Sequence, residues 1–175
     1  MAVILTLFLM GVIAAVIIAT LFSAPGFRDA RGRMRWAMSL LYVEFGFLHL
    51  TAAEAFLPIM PPVLPFPKEI IWFTGACEIA GGLGLIVPAT RRWAGIALAA
   101  YAVCVFPANL YHAFWRVYVP GLPSSWSYHA PRLLLQPVLV WWALWAGEAV
   151  DWPFSPHRPA FAKEVAEAAR TGDPA

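Results

Sequence analysis

Long apolar stretches alternate with short polar segments along most of this chain. A stretch of about 18 or more residues with few charges is typical of a transmembrane helix, because roughly 20 residues rising 1.5 Å each cross the hydrocarbon core of a bilayer. The apolar stretches are residues 2–22, 36–57, 69–87, 93–113 and 132–145. The pattern therefore predicts an all-α fold, a transmembrane helical bundle with five spans.

Composition supports the same class of protein. Hydrophobic residues make up 61% of the chain and charged residues 13%, against about 25% charged in an average soluble domain. The mean hydropathy is +0.69. A net charge of +2 is too small to indicate a nucleic-acid partner, and no basic tract with interleaved aromatics runs along one face. The expected partner is the lipid bilayer, with no room for a soluble catalytic domain.

Three segments divide the chain. Residues 1–23 are predicted to form an N-terminal transmembrane helix, residues 36–147 a four-helix membrane domain, and residues 151–175 a polar tail. The first stretch has no Lys or Arg before it and no A-x-A site after it, so we interpret it as a retained helix rather than a cleaved signal. The tail is expected to be disordered, apart from a short helix that is either solvated or lies on the membrane surface.

The charges orient the predicted helices, since Lys and Arg accumulate in cytoplasmic loops. The segments predicted to be cytoplasmic carry Arg28, Arg31, Arg33, Arg35, Arg91, Arg92, Arg158, Lys163 and Arg170. The segments 58–68 and 114–131 carry one basic residue each and are predicted to lie outside, on the membrane surface; five prolines make the first of them non-helical. We therefore expect a multi-pass protein of the inner (plasma) membrane, with its N-terminus outside and its C-terminus in the cytoplasm.

Polar residues inside the apolar stretches fall at one depth. Thr74 and Glu78 are four residues apart and share a helix face, as do Arg132 and Gln136. A stripe on the fourth stretch runs through Tyr101, Val105, Asn109, His112 and Arg116. Ionisable groups inside lipid are costly and indicate function by default. The spacing predicts a polar ligand pocket at the outer leaflet, with the candidate residues His49, Thr74, Glu78, Asn109, His112, Arg132 and Gln136.

Two prolines fit a cavity at this depth. Pro107 and Pro137 lie inside predicted helices, and each leaves the carbonyl four residues earlier without its usual donor. Broken backbone at membrane depth is tolerated beside protein or a water-filled cavity.

The same polar residues also have a purely structural interpretation. Glu78 and Arg132 can form a buried ion pair, and Asn109 and Gln136 can supply hydrogen bonds between helices. His49 serves either packing or function, while His129 is expected at the surface of a wet loop. Small residues in the stretches 69–87 and 93–113 predict that these two helices pack closely.

Other polar groups suggest little chemistry. Glu44 and Glu54 are expected to be pairing or interfacial groups. Cys77 and Cys104 each lie inside a predicted span, where packing or a redox pair are the alternatives, and burial in hydrocarbon argues against thiol reactivity.

Four segments carry a resemblance to a known family. Residues 45–50 read Phe-Gly-Phe-Leu-His-Leu, residues 74–85 follow the pattern TG-x-x-E-x-x-G-G-x-G-L, and residues 107–112 and 132–137 read PANLYH and RLLLQP. This part of the chain resembles the DoxX-like membrane proteins over residues 36–147. The resemblance implies a four-helix transmembrane bundle, to which residues 1–23 add a helix. Residues matching the polar positions of that family are His49, Glu78, Asn109, Arg132 and Gln136.

The resemblance also implies function, since DoxX-like proteins include redox-associated subunits that pass electrons to quinone and relatives that assist assembly or folding. The first hypothesis is a subunit that binds a quinone-like ring through Arg132, Gln136 or His112, with protons handled by Glu78 or His49. The chain has no haem, flavin or iron–sulfur ligand pattern, so electrons would come from a partner or a diffusible reductant. The chain alone is not expected to be an enzyme.

Two further hypotheses remain from the sequence. One is a non-enzymatic assembly or export factor whose pocket holds a partner helix or a small molecule. The other is a metal site built from His49, Glu78 and His112, which zinc or copper would accept although no spacing demands it.

Overall fold

The computed structural model describes residues 30–119 and 123–153, and this part of the chain is all-helical. The elements are α1 (Ala30–Thr51), α2 (Ala53–Phe56), a 3₁₀ turn (Leu57–Ile59), α3 (Pro67–Ile86), α4 (Arg91–Phe114) and α5 (Trp126–Ala146). The prediction of an all-α fold is confirmed for this part. The predicted helix 2–22 and the tail beyond residue 153 lie outside the described residues.

Two of the helices, α3 and α4, are long and apolar enough to cross a membrane. A third span is counted if α1 and the short helical segment after it are taken together, although they are bent by 100°. Helix α5 is long enough, with 21 residues, but it is not apolar enough to count as a candidate span. The described residues thus contain two or three candidate spans, which indicates that the protein associates with a membrane.

Several helix bounds differ from the prediction. Helix α1 covers Ala30–Thr51, so Arg31 and Arg35 lie within a helix rather than in a loop. It ends at Thr51 instead of continuing to residue 57, and the chain turns at Ala52. Helix α5 begins at Trp126 rather than at residue 132, so Pro131 lies in its second turn.

Helix α3 lies between α1 and α4, and glycines on two of its faces allow close contact with both. A Cβ on Gly75 would lie 2.8 Å from the carbonyl oxygen of Gly46 in α1, and one on Gly84 would lie 2.9 Å from the Cβ of Ala94 in α4. The predicted contact between α3 and α4 is confirmed. The sequence did not reveal that the same glycine-rich helix packs even more extensively on α1, where backbone meets backbone.

Charged side chains tie the helices together at one end of the bundle. The contacts are Arg31 Nη2 to Asp151 Oδ1 at 2.9 Å, Arg35 Nη2 to Glu148 Oε1 at 2.6 Å and Arg91 Nη1 to Glu148 Oε1 at 3.0 Å. They bring the starts of α1 and α4 to the end of α5, as expected when consecutive long helices run in opposite directions. Below them, Met38, Leu85, Leu98 and Ala143 form the buried apolar core.

Candidate functional site

His49 and Glu78 form a direct side-chain contact between α1 and α3. Nδ1 of His49 contacts Oε2 of Glu78 directly. The Glu78 side chain is only 5% exposed and the His49 side chain 15% exposed, so the pair is shielded by protein. The ring of Phe56 packs against the His49 ring, with ring centroids 4.3 Å apart. A carboxylate beside an imidazole can pass a proton between the two groups.

Two tyrosines surround the same carboxylate. The Tyr101 hydroxyl, from α4, is within hydrogen-bonding reach of Glu78 and of Thr74. The Thr74 hydroxyl donates to the carbonyl of Ile71 at 2.8 Å, one turn back on its own helix. Tyr42 of α1 packs edge-on against Tyr101 with ring centroids 6.0 Å apart and interacts electrostatically with Glu78. Helices α1 and α4 therefore supply polar groups to one buried carboxylate of α3.

A second polar group links α4 to α5. Arg132 donates through Nη2 to Oδ1 of Asn109, and Asn109 donates through Nδ2 to Oε1 of Gln136 at 3.3 Å. Gln136 in turn donates through Nε2 to the carbonyl of Ala102. The amide groups of Asn109 and Gln136 are thus engaged with protein partners.

The contact between Arg132 and His112 determines which ring nitrogen of His112 carries the proton. Nη1 of Arg132 lies 3.0 Å from Nδ1 of His112. A guanidinium can only donate, so Nδ1 must accept and the ring proton must be on Nε2. The ring also forms a hydrogen bond with the backbone of Val117, which suits that second nitrogen. His112 is therefore a neutral ring whose two nitrogens are both engaged.

His129 is the main site residue that the sequence placed wrongly. It was expected at the surface of a loop, but it lies in the first turn of α5 and is 1% exposed. Its ring lies 4.7 Å from the ring of His112 and 5.1 Å from that of Tyr128. Neither ring nitrogen has a hydrogen-bond partner among the residues that the structure describes. The available signal was its spacing of three residues from Arg132, which gives one shared helix face.

The predicted single pocket is therefore divided between two polar groups. The first, which we call the Glu78 group, comprises His49, Thr74, Glu78 and Tyr101. The second, the Arg132 group, comprises Asn109, His112, His129, Arg132 and Gln136. Tyr101 belongs to the Glu78 group, and the carbonyl of its neighbour Ala102 accepts a hydrogen bond from Gln136 of the Arg132 group. The two groups therefore meet at α4.

Two sequence-based alternatives are wrong in this geometry. The ion pair between Glu78 and Arg132 does not form, because Glu78 pairs with His49 and Arg132 bonds to His112 and Asn109. The proposed metal ligands His49, Glu78 and His112 are not gathered either. Across the described ranges, no three His, Cys, Asp or Glu residues are placed to hold a metal ion.

The candidate residues lie within one segment that is shared with other proteins. No curated protein and no solved structure matches the chain. The profile of one family matches residues 38–147, which is more than half of the chain and includes both polar groups. The chain belongs to the family described as "Domain of unknown function (DUF8561)".

Proposed function

We propose that this protein is a redox-associated subunit of the plasma membrane that binds a quinone-like ring beside the Glu78 group. The observation that carries the proposal is the buried contact between His49 and Glu78, with Tyr101 at the same carboxylate. Reduction of a quinone consumes protons and electrons in equal number. The Glu78 group can deliver the protons to the ring oxygens, and the electrons would come from a partner protein or a diffusible reductant.

The free-energy cost of placing a carboxylate in an apolar helix supports a functional role for Glu78. Glu78 lies in α3, one of the helices apolar enough to cross a membrane. An ionisable side chain at such depth destabilises insertion by roughly 2.5–3.5 kcal/mol, and α3 already packs through its glycines without it. The aromatic rings of Tyr42, Tyr101 and Phe56 around the pair supply faces against which a flat ring can stack.

The proposal includes five spans, with the N-terminus outside and the C-terminus in the cytoplasm. Helices α1, α3, α4 and α5 would be spans two to five, and the stretch 2–22 the first. The arginines of α1 and α4 gather at one end of the bundle, which agrees with a cytoplasmic position for that end. The resemblance to DoxX-like proteins over residues 36–147 is a second argument for a quinone-linked role.

Extraction of bound small molecules tests the proposal. The protein purified in mild detergent is denatured in organic solvent, and the extract is quantified by mass spectrometry beside those of Glu78→Gln and Glu44→Gln. The expected result is a stoichiometric quinone from the wild type and from Glu44→Gln, and its loss from Glu78→Gln. Extracts that contain only bulk lipid in all three cases would contradict the proposal.

A second candidate is a non-enzymatic assembly or export factor. It is favoured by the Arg132 group, in which Asn109, His112 and Gln136 use their hydrogen bonds to connect α4 to α5. This is the arrangement expected of polar contacts that hold helices together. The two candidates differ in the extraction experiment, since an assembly factor would copurify with a partner protein and carry no quinone.

A further inference from the structure

We propose that His129 and Arg132 bind a phosphate-class oxyanion where α4 ends and α5 begins. This site is separate from the Glu78 group, and its existence does not depend on quinone binding. It rests on two observations made within the described part of the chain: the nitrogens of a buried imidazole have no hydrogen-bond partner there, and a guanidinium pairs with no carboxylate there.

The imidazole of His129 has no hydrogen-bond partner among residues 30–119 and 123–153. It is 1% exposed, and in this part of the chain neither Nδ1 nor Nε2 forms a hydrogen bond. Buried polar groups in folded proteins nearly always have a partner, so an unpaired one points to a bound water, ion or ligand. A neutral imidazole offers one N–H to such a ligand, and a protonated one offers both.

The charge of Arg132 is also uncompensated. Its contacts are to Nδ1 of His112, to Oδ1 of Asn109 and to the ring face of Tyr128, 5.6 Å from the guanidinium carbon. Within residues 30–119 and 123–153, it forms no ion pair with Asp or Glu. The guanidinium has more N–H groups than these contacts use, and the remaining ones suit phosphate oxygens.

Both residues act at the same place. They are three residues apart on α5 and share a face, the Arg132 charge acts on His129, and the His112 ring contacts both. A metal cation would be repelled by the guanidinium and would find too few ligands. A water molecule would satisfy His129 but leave the positive charge unbalanced, whereas an oxyanion satisfies both.

The surroundings indicate a phospholipid headgroup as the expected source of the phosphate. Trp115, Tyr118 and Trp126 are exposed at this end of the bundle, at 69%, 75% and 42%. Exposed Trp and Tyr side chains settle at the headgroup level of a bilayer, so lipid phosphates would lie beside the Arg132 group. A soluble phosphate compound has the same chemistry and is the other source to be tested.

Thermal unfolding in maltoside micelles, in a buffer without phosphate, distinguishes these cases. One arm adds inorganic phosphate, a second adds phosphatidic acid, and a third adds diacylglycerol with the same acyl chains. Each arm is run on the wild type, His129→Phe, Arg132→Gln and Arg116→Gln. Arg116 is a matched control because it is an exposed arginine beyond the end of α4.

The expected result is that phosphatidic acid raises the unfolding temperature of the wild type and of Arg116→Gln, while diacylglycerol does not. His129→Phe and Arg132→Gln should require about tenfold more lipid for the same shift. Without any ligand, His129→Phe should unfold at the same or a higher temperature, because it removes unsatisfied polar atoms while keeping a ring. A shift with inorganic phosphate as well would identify a soluble ligand as a source.

Three results would overturn the proposal. The first is the absence of any shift in the wild type with either phosphate probe, which would mean that water alone occupies the site. The second is an equal loss of the shift in Arg116→Gln, which would indicate general attraction of anions to a basic surface. The third is a lower unfolding temperature of ligand-free His129→Phe with the lipid shift retained, which would mean that the ring nitrogens serve the fold.

Discussion

His49 and Glu78 meet where α1 and α3 approach most closely, because a glycine on α3 leaves room for the histidine. A Cβ on Gly75 would lie 2.7 Å from the Cβ of His49, closer than real Cβ contacts allow. The glycine-rich face of α3 therefore does more than pack the bundle: it sets the position from which the imidazole reaches the carboxylate.

Replacement of this glycine is predicted to disturb both packing and site. In Gly75→Ala the added methyl meets His49 and the carbonyl of Gly46, so the free energy of unfolding should fall by about 1–3 kcal/mol. Gly81→Ala is the comparison, because the atoms nearest its Cβ belong to the flexible side chain of Leu98, and it should cost less. Unfolding monitored in mixed micelles measures both. Equal costs would mean that the contact with α1 has no special role.

The coupling free energy between His49 and Glu78 can be measured by a double-mutant cycle. Glu78→Gln and His49→Gln each remove one partner, and the coupling energy between them should be about 0.5–3 kcal/mol. Glu44→Gln is the control on the same helix as His49, because Glu44 forms no ion pair in the described part of the chain, and its change should stay within about 0.5 kcal/mol. A coupling energy of zero would show that the contact contributes nothing in the membrane.

Glu148 is predicted to hold one end of the bundle through salt-dependent contacts. It accepts from both Arg35 and Arg91, but it is 45% exposed. Glu148→Gln should therefore lower the free energy of unfolding by about 1 kcal/mol or less at low ionic strength. The difference should shrink as salt is added. Glu54→Gln, which loses a single more exposed contact with Lys68, should have a smaller effect; a salt-independent loss at Glu148 would point to packing instead.

The proposed orientation predicts opposite accessibility at the two ends of α3. Val63→Cys lies in the segment before α3 and Ala89→Cys in the turn after it, each introduced after Cys77 and Cys104 are replaced by Ala. In right-side-out vesicles, a membrane-impermeant maleimide should label position 63 directly and position 89 only after permeabilisation. The reverse pattern would contradict the proposed orientation, and labelling of both positions from outside would contradict the crossing of α3.

The sequence predicted the helices well where hydrophobicity alone decides their existence, as in α3 and α4. It placed their ends less well where polar residues continue a helix. The first turns of α1 contain arginines, and those of α5 contain Ser127, His129 and Pro131, so neither was distinguished from a loop. Because the sequence did not reveal where α5 begins, it did not reveal that His129 is buried either.

The candidate site was predicted as a set of residues but not as an arrangement. Spacing of three or four residues places side chains on one face of a helix, yet it does not give the rotation of that helix relative to its neighbours. Glu78 therefore faces α1 and Tyr101, while Asn109 and His112 face α5. The structure therefore contains two polar groups, whereas the sequence predicted a single pocket.

Binding of a short-chain quinone to the reconstituted protein tests the central claim most directly. Quenching of tryptophan fluorescence by a soluble benzoquinone analogue is titrated for the wild type, Glu78→Gln and Glu44→Gln in the same nanodiscs. The account predicts saturable binding to the wild type and to Glu44→Gln, weakened about tenfold or more in Glu78→Gln. Quenching that is non-saturable, or that is identical in all three proteins, would contradict the claim that a quinone-like ring binds beside His49 and Glu78.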